Sequence, residues 1–113
     1  MVIAEMIRAG KRLAEQAGLE MYAKVGERDA CGFGWVEVYV DRTNSAQAKE
    51  LIAAGFRKDY KPKCLSMWDP AGVPTQSISV KEAGAEAYAE YLRALGLKAY
   101  AGCLLYTSDA ADE

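Results

Sequence analysis

Four aromatic side chains fall where a flat ligand could be held. Successive side chains of a strand point to opposite faces, and that alternation sorts CGFGWVEVYV (31–40), CLSMW (64–68) and KAYAG (98–102) cleanly. Val36, Val38 and Val40, Leu65 and Met67, and Ala99 and Ala101 form one aliphatic side, as a helix-packed core requires. The opposite side collects Trp35, Tyr39, Trp68 and Tyr100, with Phe33, Glu37, Cys64, Ser66 and Lys98 among them. Stacking a base on an aromatic ring contributes about 1–3 kcal/mol, and polar neighbours can read base edges. A nucleotide is therefore the expected small-molecule ligand. The competing expectation is that a helix or a second subunit covers this side, since a monomer seldom leaves so large an apolar patch open. A homo-oligomer is expected, and it could hold the ligand at its interface.

Arg42, Lys63, Gln76, Ser77 and Lys81 are the candidate phosphate anchors. Gln76 and Ser77 precede a helix whose first amides attract anions. Lys81 falls in that helix's first turn, where the dipole disfavours a cation and an anionic partner would explain it. The run RKDYKPK (57–63) could also neutralise phosphates, although Asp59 interrupts it and a solvated loop accounts for it equally well.

Catalysis finds little to work with. The chain has no His, which removes the commonest general base and metal ligand. Glu37, Asp41 and Glu82 are the carboxylates near the proposed faces, and no nucleophile is paired with a base. Cys31, Cys64 and Cys103 are isolated and odd in number, so neither a disulfide framework nor a zinc site is expected, and buried free thiols are the simpler reading. The expectation is a binding protein, not an enzyme, with no metal or cofactor.

These residues must be positioned by a small domain. The 113 residues carry 14 basic and 16 acidic side chains, a net charge of −2, which calls for neither a nucleic-acid nor a membrane partner. No signal peptide is recognised and no apolar run approaches the roughly 18 residues of a membrane span, so a cytoplasmic location is expected. Apolar spacing through Ile3, Ile7, Ala14, Ala17 and Met21, with Met6 and Leu13 alongside, predicts a helix over 2–24, weakened at Gly10 and Gly18 by about 1 kcal/mol each relative to Ala. A strand at 31–40 follows, then a helix capped by Thr43 or Asn44 that runs to Ala54 and stops at Gly55. A short strand at 64–68 leads through a Pro- and Gly-punctuated loop to a helix with a Ser79–Glu82 capping box, ended by Gly96, and a last strand at 98–102. The order α-β-α-β-α-β predicts a single α/β or α+β domain over 1–102, a three-stranded sheet with helices on at least one face. Helical crossovers make parallel pairing the prior, with a mixed sheet as the variant.

CGFGWVEV (31–38), AKELIAAGFRKDY (48–60) and TQSISVKEAGAEAYAEYLRALGLKAYAG (75–102) together resemble a widespread family of small proteins encoded by tailed bacteriophages and prophages. Its pattern is close to CGFAWV, then a Gly-terminated helix, QS, KEA and a closing AYA with a Ser-Arg-Leu-Asp-like end. This chain has Gly34 where Ala is usual and lacks the closing segment. The resemblance implies a phage setting, inside an infected bacterial host. It supports the expectation of a phage protein that sequesters a cyclic dinucleotide or similar immune signal to inhibit host anti-phage defence. The alternatives are an accessory protein that binds a host protein through the aromatic face, or a single-stranded nucleic-acid binder, which the near-neutral charge disfavours.

The last stretch, CLLYTSDAADE (103–113), continues none of these patterns. Back-translated with ordinary codons it resembles a transposase adapter of sequencing libraries, and is expected to be a non-native tail. Without Asp109, Asp112 and Glu113 the balance is 14 basic to 13 acidic residues, or +1.

Overall fold

A computed structural model describes residues 4–26, 31–75 and 77–105. Helix α1 spans Ala4–Val25, strand β1 Gly32–Tyr39, helix α2 Ala46–Ala53, strand β2 Arg57–Lys58, strand β3 Cys64–Trp68, helix α3 Ile78–Ala94 and strand β4 Lys98–Leu105. The sheet has four strands in the order β2-β3-β1-β4, with every neighbouring pair antiparallel. The domain is thus α+β, and both the three-stranded count and the parallel prior are corrected.

One short element accounts for both corrections. β2 is two residues long and lies within the polar run that reads as a connection. It turns back at once into β3, helped by Lys63 at φ 57° and by a hydrogen bond from the Asp59 amide to the Cys64 carbonyl of 2.9 Å. That reversal sends β3 down beside β1. Each helical crossover joins two parallel strands that are set one strand apart: α2 links β1 to β2 with β3 between them, and α3 links β3 to β4 with β1 between them. Two interleaved units of this kind make the split β-α-β arrangement, with α1 added in front.

Alternation places the core as expected. Val36, Val38, Leu65 and Ala99 are fully buried against Ala48, Leu51, Ala85, Tyr88, Ala89 and Leu92 of α2 and α3. Full burial of such an aliphatic side chain contributes about 1.5–3 kcal/mol. α1 packs on α3, but through a narrower seam than its apolar spacing suggests. Ile7, Gly10, Ala14 and Gly18 are buried, Met6 and Leu13 are exposed, and Ile3 lies outside the described residues. A β-carbon on Gly10 would come within 2.5 Å of the Tyr88 ring and 2.6 Å of the Tyr91 ring. The glycine that costs helix propensity is what lets two tyrosines pass under α1. Their hydroxyls donate to the carbonyls of Ile7 and Met6, each at 2.7 Å.

The caps are shifted by one or two residues. Ser45 caps α2, accepting from the Ala48 amide at 3.2 Å, in place of Thr43 or Asn44. Ser77 caps α3, accepting from the Val80 amide at 3.3 Å, so Ser79 sits inside the first turn and the Ser79–Glu82 capping box does not form. At the far end β4 runs past Gly102. Cys103, Leu104 and Leu105, read as the start of the appended tail, pair with Gly34, Phe33 and Gly32 of β1. Residues 106–113 lie outside the described residues.

Candidate functional site: an open aromatic sheet face

Among the described residues the helices α1, α2 and α3 lie on the aliphatic side of the sheet and none covers the other, although Cys64 and Ser66 on that side are buried and the connection from β2 to β3 lies against it, with Lys61 bonded to Glu37 and Asp59 to Ser66. The expectation that the first or third helix covers the aromatic face is therefore corrected. Cross-strand pairs share a face, and the register sets Trp35 opposite Trp68 and Gly102, Glu37 opposite Ser66 and Tyr100, and Tyr39 opposite Cys64 and Lys98. Phe33 faces Leu104 at one end, and Arg57 of β2 joins Ser66 at the edge. Trp68 is 54 % exposed, Tyr100 52 % and Phe33 41 %. Trp35 and Tyr39 are half-buried.

The rings organise into two groups. Trp35 stacks on Trp68 with centroids 4.6 Å apart and planes at 27°, and Phe33 meets Trp68 edge-on at 6.0 Å. Room for the Trp35 indole comes from Gly102, where a β-carbon would lie 2.5 Å from the ring. Tyr39 and Tyr100 form a T-shaped pair at 6.0 Å. Such pairs contribute about 0.5–1.5 kcal/mol beyond their buried area.

Glu37 ties the groups together. Its carboxylate accepts from Trp35 Nε1 at 2.8 Å, Tyr39 Oη at 2.9 Å and Lys61 Nζ at 2.7 Å. Among the described residues Lys61–Glu37 is the one ion pair. Burial pushes the Glu37 pKa up, but the hydrogen bonds from Lys61, Trp35 and Tyr39, with the Lys61 charge, outweigh it and hold the carboxyl below its ordinary value. The same hydrogen bonds to Glu37 raise the Tyr39 phenol and the Lys61 ammonium above theirs. At neutral pH the cluster is a fixed set of charges, with Glu37 ionised and both donors protonated. It fixes ring orientation.

The expected site residues do not all converge. Trp35, Tyr39, Trp68 and Tyr100 share the open face as read. Arg42 and Lys63 are exposed on the loops at the Tyr39 end of β1, where the Lys63 carbonyl accepts from the Val40 amide at 2.9 Å. Lys81 belongs to the opposite end, with Nζ 5.5 Å from the centroid of the Phe33 ring; this cation–π contact accounts for a lysine in the first turn of α3. Ser77 is buried and committed to capping, which removes it as a phosphate ligand. Gln76 lies outside the described residues.

Sequence reading passed over Gly102, whose missing side chain seats Trp35, and saw Lys61 only as one cation of the basic run, not as the partner of Glu37 across 24 positions. Phe33 and Arg57 carried signals, the first through strand alternation and the second through the basic run. Of the three thiols only Cys64 is buried, and burial pushes its pKa up to about 11; Cys31 and Cys103 are exposed, correcting the reading of all three as buried.

Among the described residues no group of His, Cys, Asp and Glu is placed to hold a metal ion, and no helix is long and apolar enough to cross a membrane. Fold and face together define a small α+β protein with an aromatic sheet face on which Phe33, Trp68 and Tyr100 are exposed. No protein-family model, curated protein or solved structure matches the chain.

Proposed function

We propose that this is a non-catalytic binding protein that stacks nucleotide bases on its open aromatic face and, in the phage setting the resemblance implies, sequesters a nucleotide immune signal of the bacterial host. The observation that carries the reading is the exposure of Trp68, Tyr100 and Phe33 on a sheet face that no helix covers. Arg57 and Lys98 stand at its margins, so an anionic ligand meets positive charge there although the chain as a whole is at −2 and the Lys61 charge is matched by Glu37. Sequestration requires affinity without turnover, in keeping with a polar cluster whose members titrate far from neutrality. Copies of the chain associate in this reading, because the outer edge of β4 has no neighbouring strand among the described residues.

Isothermal titration against cyclic di- and trinucleotides, linear nucleotides and short oligonucleotides tests the reading. Binding of one class at about one ligand per one or two chains, lost in Trp68→Ala with unchanged circular dichroism, supports it. Absence of heat across the panel refutes it. A second reading, docking of a host protein, draws on the exposed Phe33, Trp68 and Tyr100 side chains, a class enriched at protein interfaces. Capture of the same host protein by the wild type and not by Trp68→Ala, with no nucleotide bound, selects it.

A further inference from the structure

The basic run at 57–63 is only partly used by this reading. β2 stops opposite Ser66, so among the described residues Met67 and Trp68 have no partner strand on their outer side. The gap opens into a cleft of about 480 Å³, whose walls include Lys11, Arg57, Lys58, Asp59, Ser66 and Trp68. That volume lies within the roughly 300–1,000 Å³ usual for small-molecule sites. Arg57 shares the aromatic side of the sheet with Ser66, Lys58 the helix side with Leu65, and Lys11 comes from α1.

Three cations therefore meet one carboxylate. Asp59 is already engaged: Oδ1 accepts from the Ser66 hydroxyl at 3.3 Å and Oδ2 from the Lys61 amide at 3.5 Å. Among the described residues no carboxylate lies within ion-pair distance of Lys11, Arg57 or Lys58. Gathering unpaired cations in a concave site raises the local anion concentration. The arginine fork suits phosphate oxygens, and the two lysines add point charges. Trp68 belongs both to the cleft wall and to the open face, so a ring resting on its indole can send phosphates round the sheet edge.

We propose that the notch beside β2, formed by Lys11, Arg57 and Lys58, is a phosphate site that takes the phosphates of a small anion, with Trp68 positioned to receive its ring when that anion is a nucleotide. Only the ring's place rests on the base-stacking reading. The test titrates the full chain with inorganic pyrophosphate, ADP and adenosine. Pyrophosphate and ADP are expected to bind, and adenosine more weakly than ADP. Lys11→Gln and the double variant Arg57→Gln/Lys58→Gln should each weaken both phosphorylated probes by about tenfold or more. Lys24→Gln, on the last turn of the same helix as Lys11, should leave them unchanged.

No heat with either phosphorylated probe overturns the proposal. So does binding that the cleft variants leave intact, or that Lys24→Gln weakens equally. Trp68→Ala separates the two readings: if it leaves ADP binding untouched while the cleft variants weaken it, the phosphate site stands and base stacking falls. The reverse pattern refutes the phosphate site alone. Circular dichroism of each variant confirms that the fold is kept.

Discussion

Gly102→Ala offers a way to disturb the aromatic face without removing any ring. A β-carbon there would sit 2.5–2.7 Å from three atoms of the Trp35 indole, well inside contact distance. Trp35 is half-buried, so the ring has solvent to tilt into. Tilting gives up the stack on Trp68, about 0.5–1.5 kcal/mol, and the Nε1 hydrogen bond to Glu37, about 1 kcal/mol in net terms. Against this, replacing Gly by Ala in a strand recovers about 0.5–1 kcal/mol. The net loss is about 1 kcal/mol, which lowers Tm by about 4–8 °C in a domain of this size. The chain has only two Trp, and their rings are 4.6 Å apart, so their coupling should give a near-ultraviolet dichroism signal specific to this pair. Thermal unfolding followed in the far and near ultraviolet reads both consequences. The expected result is a weakened indole signal and a lower Tm with native secondary structure. An unchanged indole signal, or a raised Tm, refutes the claim that Gly102 exists to seat Trp35.

Gly10→Ala should also destabilise the protein, by about 1–3 kcal/mol of overpacking against the buried Tyr88 ring less about 1 kcal/mol of helix propensity; a rise in urea midpoint would show that propensity outweighs packing at this seam. Glu37 has a folded pKa below its ordinary 4.5, so its contribution is present above that value and is lost as the pH falls through the folded pKa. Glu37→Gln should accordingly lower stability at neutral pH and flatten the acid limb of a stability–pH profile, and an identical profile would remove the carboxylate from its role. Tyr88→Phe removes the second hydrogen bond to the Ile7 carbonyl, which keeps its helical partner within α1, and should cost about 0.5–1.5 kcal/mol, measured by chemical unfolding. A thiol reagent should label Cys31 and Cys103 in the native protein and reach Cys64 only on unfolding; rapid labelling of all three would contradict the burial of Cys64.

Local patterning determined much of this protein. Alternation in 31–40, 64–68 and 98–102 was enough to divide the aliphatic core from the aromatic face, because a strand's two-residue period depends on no other part of the chain. Helix stops at Gly55 and Gly96 were legible for the same reason, since both adopt positive φ, at 115° and 96°, where only glycine is unstrained. Tertiary structure decided what depends on distant partners. β2 has no periodicity to read in two residues and exists because β3 offers it an edge. Its presence reverses β3 and makes the sheet antiparallel. The value of Gly10 is invisible in the helix that contains it, where it is only a loss of propensity; it becomes a requirement when Tyr88, 78 positions on, packs beneath it. Lys61 reaches Glu37, and Lys11 meets Arg57 and Lys58, only after the sheet edge and α1 come together. Spacing along a chain reports faces of single elements, whereas a site made of side chains from several elements forms only through their packing.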